Sequence, residues 1–172
     1  MSYGPLPKRV DPRKLAEREA EITGQIELQS MPELSTFLVD SRGNANVELR
    51  FALDEQRLRT VTGNARAKIR QVCQRCLEPV SIDIEAEFNL AVVLNEEQAK
   101  HLPRSYDPLL VEGDLSLASL VEEELILSLP AVPYHRDCSV QTSFGEVDLA
   151  DDAGQDEKPN PFSVLATLKK DR

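Results

Sequence analysis

The chain has no tryptophan, and only three tyrosines and five phenylalanines among its 172 residues. Modules that read single-stranded RNA stack bases on exposed rings, so an aromatic-basic platform of that kind is excluded. Histidine is rarer still, with His101 and His135 alone. No Walker A sequence, dinucleotide fingerprint, nucleophile elbow or His-Glu-x-x-His pair is present, and the enzyme classes built on those motifs fall away. No apolar run approaches the roughly 20 residues of a membrane span. The opening stretch MSYGPLPKRVDPRKLAEREA has no apolar segment of the sort a secretory signal requires. Cysteine is limited to three. An odd number without a signal points to reduced thiols in the cytoplasm rather than a disulfide framework.

What is present is a soluble, globular composition, 41% hydrophobic and 29% charged. The length suits one domain with extensions, large enough to bury a core unaided. The net charge is −10, unevenly spread. Residues 1–76 carry 13 Lys/Arg against 10 Asp/Glu, whereas residues 77–172 carry 7 against 20. An acidic half repels phosphate backbones and attracts basic proteins, although such charge also serves plain solubility.

The pattern of residues predicts an α+β fold, an antiparallel sheet or partly closed barrel with flanking helices. Asp11 caps a helix with Pro12 in its first turn and good helix formers over 13–21. Alternation predicts strands over 22–28, 45–53 and 58–72, with a shorter one over 36–40. Gly24 marks a bulge or a close approach. The cleanest strand is VSIDIEAEFNLAVVL, with Val80, Ile82, Ile84, Ala86, Phe88, Leu90 and Val92 on one face and polar residues on the other. A short helical region follows over 95–102, and a helix over 115–129 is capped by Asp114 or Ser116 and stopped by Pro130. Within it, Glu122, Glu123 and Glu124 read as a solvated face. Residues 1–145 thus form a single domain, strand-rich over 22–94. Residues 146–160 read as an acidic linker, and 161–170 as a C-terminal helix. Asn160 caps that helix, and Phe162, Leu165 and Leu168 share an apolar face for docking on this domain or on a partner.

The chemistry-bearing motif is Cys-Gln-Arg-Cys at 73–76. A redox pair is activated by a helix N-terminus. Here Leu77-Glu78-Pro79 and a long strand follow, placing the pair in a strand-to-strand turn. Such a turn presents two sulfurs to one ion, and tetrahedral zinc needs two more ligands. His-Arg-Asp-Cys at 135–138 repeats the spacing, so Cys73, Cys76, His135 and Cys138 make a complete zinc set using every cysteine. Bare thiols in a turn are the alternative. A second motif is a small basic stripe, Arg57, Arg59, Arg66, Lys68, Arg70 and Arg75, capable of phosphate contact or simply forming a polar sheet face.

CQRCLEPV, then VEEELILSLPAVP with His135 close behind, then NPFSVLATLK together resemble the bacterial YceD family of large ribosomal RNA subunit accumulation proteins. The resemblance runs from about residue 10 to 170. It implies a cytoplasmic, non-enzymatic factor needed for synthesis, processing or stability of 23S ribosomal RNA. It also implies a tie to a small basic large-subunit ribosomal protein, whose gene often neighbours that of the family. Some relatives carry further cysteines after the position of His135, which implies a metal-site ancestry; this chain lacks them. No catalytic residue carries over. Joined to the acidic charge, the resemblance points to binding of a basic large-subunit ribosomal protein or a pre-ribosomal particle. Direct RNA binding through the basic stripe and an RNA-processing hydrolase are the rival classes.

Overall fold

The computed structural model describes residues 4–140. The expected linker over 146–160 and the helix carrying Phe162, Leu165 and Leu168 lie outside the described residues.

The fold is built on a five-stranded sheet in the order β2-β3-β4-β5-β6. Strands β2 (Glu21–Glu27), β3 (Asn44–Leu53), β4 (Arg59–Val72) and β5 (Pro79–Val93) form an antiparallel meander. The sheet stays open: β2 and β6 (Asp107–Leu110) form its two margins. Of the two forms expected, the open sheet is the one adopted. Strand β6 runs parallel to β5, pairing Asp107–Leu110 with Leu90–Val93, so the sheet is mixed. Periodicity does not report strand direction. The chain returns through α3 (Glu96–Lys100), capped by Asn95, before β6 forms. A two-stranded ribbon of β1 (Arg9–Val10) and β7 (Leu115–Ser116) was too short to read from alternation.

Alternation in β3, β4 and β5 explains the layering. Val47, Leu49, Phe51, Val61, Ala65, Ile69, Ile84 and Leu90 are buried on one face, with charged and amide side chains on the other. Helices α1 (Pro12–Glu17) and α4 (Leu117–Leu127) cover the buried face. Asp11 caps α1 by accepting from the Arg13 and Lys14 N–H groups, and Ser116 caps α4 by accepting from Ser119. At the β2 margin the Gln25 N–H donates to the Gly4 carbonyl at 3.0 Å. Gly24 is needed there, since a Cβ would stand 2.7 Å from that same carbonyl oxygen.

Two expectations are corrected. Residues 36–40 form turns, not a strand. The chain enters α2 (Pro32–Ser35) just before them, and the segment meets β4 through a single backbone bond, from the Val39 N–H to the Arg70 carbonyl 2.8 Å away, instead of a ladder. Nor is Glu122 part of a solvated face. It is 7% exposed, and its carboxylate accepts from the Glu33 and Leu34 N–H groups at 2.6 and 3.0 Å. These are orphan donors of the first turn of α2, whose own N-cap, Met31, has no side-chain acceptor. Helix periodicity placed Glu122 beside the core stripe, but its donors lie 88 and 89 residues away and leave no local signal. Glu122→Ala removes a shared acceptor from two donors, and it should lower stability by about 2–3 kcal/mol in urea unfolding. Glu122→Gln should recover about half. A loss within experimental error for the alanine variant would show that solvent replaces the carboxylate.

Candidate metal centre

The hairpin between β4 and β5 is a knuckle. The Cys73 N–H donates to the Glu78 carbonyl at 2.9 Å, and Leu77 returns a bond to the Cys73 carbonyl at 3.0 Å. Leu77 closes the turn at φ 63°, in the left-handed region. A second loop, following α4, brings Pro133 against it, and the Gln74 N–H donates to the Pro133 carbonyl at 2.8 Å. Arg75 ties the loops again, through its guanidinium to the Cys138 carbonyl at 2.7 Å and over the Tyr134 ring at 5.3 Å.

The result brings Cys73, Cys76, His135 and Cys138 together, with their ligand atoms within 4.8 Å of one another. Among the described residues this is the one group of three or more such side chains that could hold a metal ion. The Cys73 and Cys138 sulfurs are 3.6 Å apart, and the Cys76 sulfur lies 3.3 Å from His135 Nδ1. Zinc–sulfur bonds of about 2.3 Å in a tetrahedron put sulfurs roughly 3.8 Å apart, so the cluster has the dimensions of a zinc site. His135 Nε2 faces the Pro79 carbonyl at 3.2 Å, an arrangement that places the ring proton on Nε2 and leaves Nδ1 free to ligate.

The thiols differ electrostatically. Burial works to raise the Cys73 thiol, but N–H groups of Cys76, Arg75 and His135 aimed at its sulfur outweigh burial and bring it down to about 5. The Arg75 and His135 N–H groups lie 3.4 and 3.5 Å from that sulfur. Burial, then the neighbouring Cys73 and Cys76 sulfurs, push the Cys138 thiol up. Ionisation is therefore favoured at Cys73 and opposed at Cys138, and a divalent cation would supply the charge that lets Cys138 ionise as well.

The six residues of the basic stripe fall in three places. Arg57, in the β3–β4 turn at φ 63°, and Arg59 line a cavity of about 580 Å³ with Gln98 and His101. Arg66, Lys68 and Arg70 share the solvent face of β4, each opposite a polar or acidic residue of β5. Arg66 Nε donates to Glu85 at 2.7 Å, and Arg70 is paired with Asp40 at 2.7 Å. Asp40 is held at about 2, chiefly by its hydrogen bond from Arg42. Arg75 is in the knuckle. Sequence reasoning missed the supporting groups: the carbonyls of Glu78, Pro79 and Pro133, and Tyr134. Backbone acceptors carry no residue-type signal.

An open, mostly antiparallel sheet whose longest hairpin ends in a knuckle of three cysteines and a histidine defines an α+β protein with a candidate metal centre. The described part of the chain contains no helix long and apolar enough to cross a membrane. Residues 61–169 match the sequence profile of "Large ribosomal RNA subunit accumulation protein YceD". A protein of that same name from Haemophilus influenzae is 37% identical over 174 residues, covering 96% of this chain and 97% of the relative. The chain belongs to the YceD family. No solved structure matches it significantly.

Proposed function

We propose that this protein is a non-enzymatic factor of the bacterial cytoplasm that promotes accumulation of large-subunit ribosomal RNA by holding a basic ribosomal protein or a pre-ribosomal particle. The observation that carries the reading is kinship along nearly the whole chain to a relative named for large ribosomal RNA subunit accumulation. The charge gives it a physical form. A protein at −10 is a poor direct ligand for RNA and a good one for a cationic protein. Support also comes from the basic stripe, where Arg66 and Arg70 are already neutralised by Glu85 and Asp40.

Zinc completes this reading. Cys73, Cys76, His135 and Cys138 would hold it, and the ion would supply charge for three thiolates and a cross-link between the two loops. Its part is structural.

One variant tests the reading by the sign of its effect. Glu146, Asp148, Asp151, Asp152, Asp156 and Glu157 concentrate acid in one stretch. Neutralising all six to Gln and Asn should slow association with purified basic large-subunit ribosomal proteins severalfold, with a smaller effect on dissociation. Wild-type association should itself weaken as salt approaches 1 M, where the Debye length is about 3 Å. If RNA is the direct ligand, the same variant binds large-subunit RNA fragments more tightly, and Arg66→Ala with Arg70→Ala weakens that binding and flattens its salt slope. Tighter RNA binding without loss of protein binding would overturn the holder reading. Metal-dependent RNA cleavage by pure protein would establish an enzyme instead.

A further inference from the structure

Strand β5 is paired with β4 over thirteen consecutive residue pairs, from Val72↔Pro79 to Thr60↔Ala91, without a bulge. On its other side β6 covers only Leu90–Val93. The directions of the backbone groups follow from three contacts. The Glu78 carbonyl points toward β4, accepting from Cys73. The Pro79 carbonyl points the other way, toward His135, and the Val93 carbonyl likewise accepts from Val111 beyond β6. An unbroken register preserves this parity. Ser81, Asp83, Glu85 and Glu87 therefore direct their N–H and C=O groups to the open side, where no backbone hydrogen bond meets them among the described residues. The open stretch is bounded by the knuckle at one end and by β6 at the other.

Strand edges of this length are normally blunted by proline, lysine or cover. This one is lined with acid. The residues that offer backbone groups also carry Asp83, Glu85 and Glu87, all solvent-exposed. Asp83 and Glu87 make no ion pair among the described residues. Pairing of this edge with a second copy is disfavoured. An antiparallel β5–β5 pair centred on Glu85 sets Glu85 opposite Glu85 and Asp83 opposite Glu87, and like charges directly opposite are repulsive.

We propose that the open edge of β5, from Ser81 to Glu87, takes up an extended lysine- or arginine-rich segment of a partner protein as an added strand. Main-chain hydrogen bonds supply affinity, and Asp83 and Glu87, on either side of a Glu85 already paired with Arg66, select basic side chains at alternate positions. The proposal rests on the reading that the partner is a basic protein, and it names the place and mode of capture.

The probe is an end-capped eight-residue peptide of alternating lysine and valine, mixed with the full-length protein. Residue-resolved amide exchange by NMR should show Ser81, Asp83, Glu85 and Glu87 exchanging rapidly in the free protein. With peptide they should slow at least tenfold, while their neighbours, already bonded to β4, change little. A peptide N-methylated at alternate residues, which keeps the charge and loses the donors, should fail to protect them. Asp83→Pro deletes an outward donor and a charge but no bond to β4, and Asp83→Asn deletes the charge alone. The proline variant should bind about tenfold more weakly than the asparagine variant, as expected for a lost hydrogen bond. Amides of this edge that are already slow in the free protein would overturn the proposal, since the edge would be occupied. Binding without their protection, or undiminished by N-methylation, would equally overturn it. If basic ribosomal proteins bind while the edge stays unprotected, the holder reading survives and the edge does not. If they do not bind at all, both fall.

Discussion

Chelation of the proposed zinc, or Cys73→Ser, is expected to lower the thermal midpoint of the protein by about 10 °C. Structural zinc in small peptides contributes about 10–16 kcal/mol of apparent binding free energy at neutral pH. The effect here is smaller than global unfolding because the sheet has its own core, with Phe51, Val61, Ile69 and Leu125 fully buried or nearly so. What depends on the ion is the pair of loops at 73–78 and 130–138. A stability loss of about 3–4 kcal/mol, at about 2–4 °C per kcal/mol for a chain of this size, corresponds to that shift. Chelator added to the Cys73→Ser variant should do nothing further. Acid should release the metal, because protons compete for His135 and the thiolates. In the metal-free protein the sign is also set. The Cys73 thiol is depressed from 9.0 to about 5, so its thiolate contributes to stability in full above pH 9 and loses that contribution as pH falls toward 5. Metal analysis of freshly purified protein together with melting curves checks this. A zinc content near zero and no chelator effect would leave a hydrogen-bonded thiol cluster.

The second large effect is expected at Gly63, opposite Phe88 in the β4–β5 ladder. A Cβ on Gly63 would overlap the Cζ and Cε2 atoms of Phe88 and crowd a Leu49 methyl at 2.9 Å. Gly63 lies on the face of β4 that buries Val61 and Ala65, so the Phe88 ring occupies space that any other residue would need. Gly63→Ala should cost about 3 kcal/mol, at the upper end of overpacking, and Gly63→Val more. Gly63→Ala combined with Phe88→Leu should recover part of the loss, because the ring is the obstacle. Urea midpoints for the three variants check the coupling. Additive losses would show that the strand moves instead of the ring.

The sequence by itself determined the strands that make the sheet. Alternation over 45–53, 58–72 and 80–94 survives in β3, β4 and β5 because a half-buried strand has a period of two whatever it packs against. The cap at Asp11 was legible for a similar reason, since a capping side chain bonds within three residues of itself, and of the two candidates Asp114 and Ser116 it is Ser116 that caps α4. The four knuckle residues were legible as two equal spacings. Tertiary structure alone decided whether the two spacings meet: the distance between them is set by how α4 and the 130–134 loop return to the β4–β5 hairpin. It also decided what Glu122 does, since a buried carboxylate and an exposed one look alike in a helix until α2 arrives beside it. Of the basic stripe, Arg66, Lys68 and Arg70 share one face of β4 as alternation predicts, and only the placing of Arg57, Arg59 and Arg75 was decided by the fold. Arg57, Arg66 and Arg75 are neighbours along the chain, but an extended strand carries them to a turn, a sheet face and a knuckle, and their partners are chosen by the strand alongside. The open edge of β5 had no signature at all, because a strand bonded on one side and a strand bonded on both share the same period, and only the short length of β6 tells them apart.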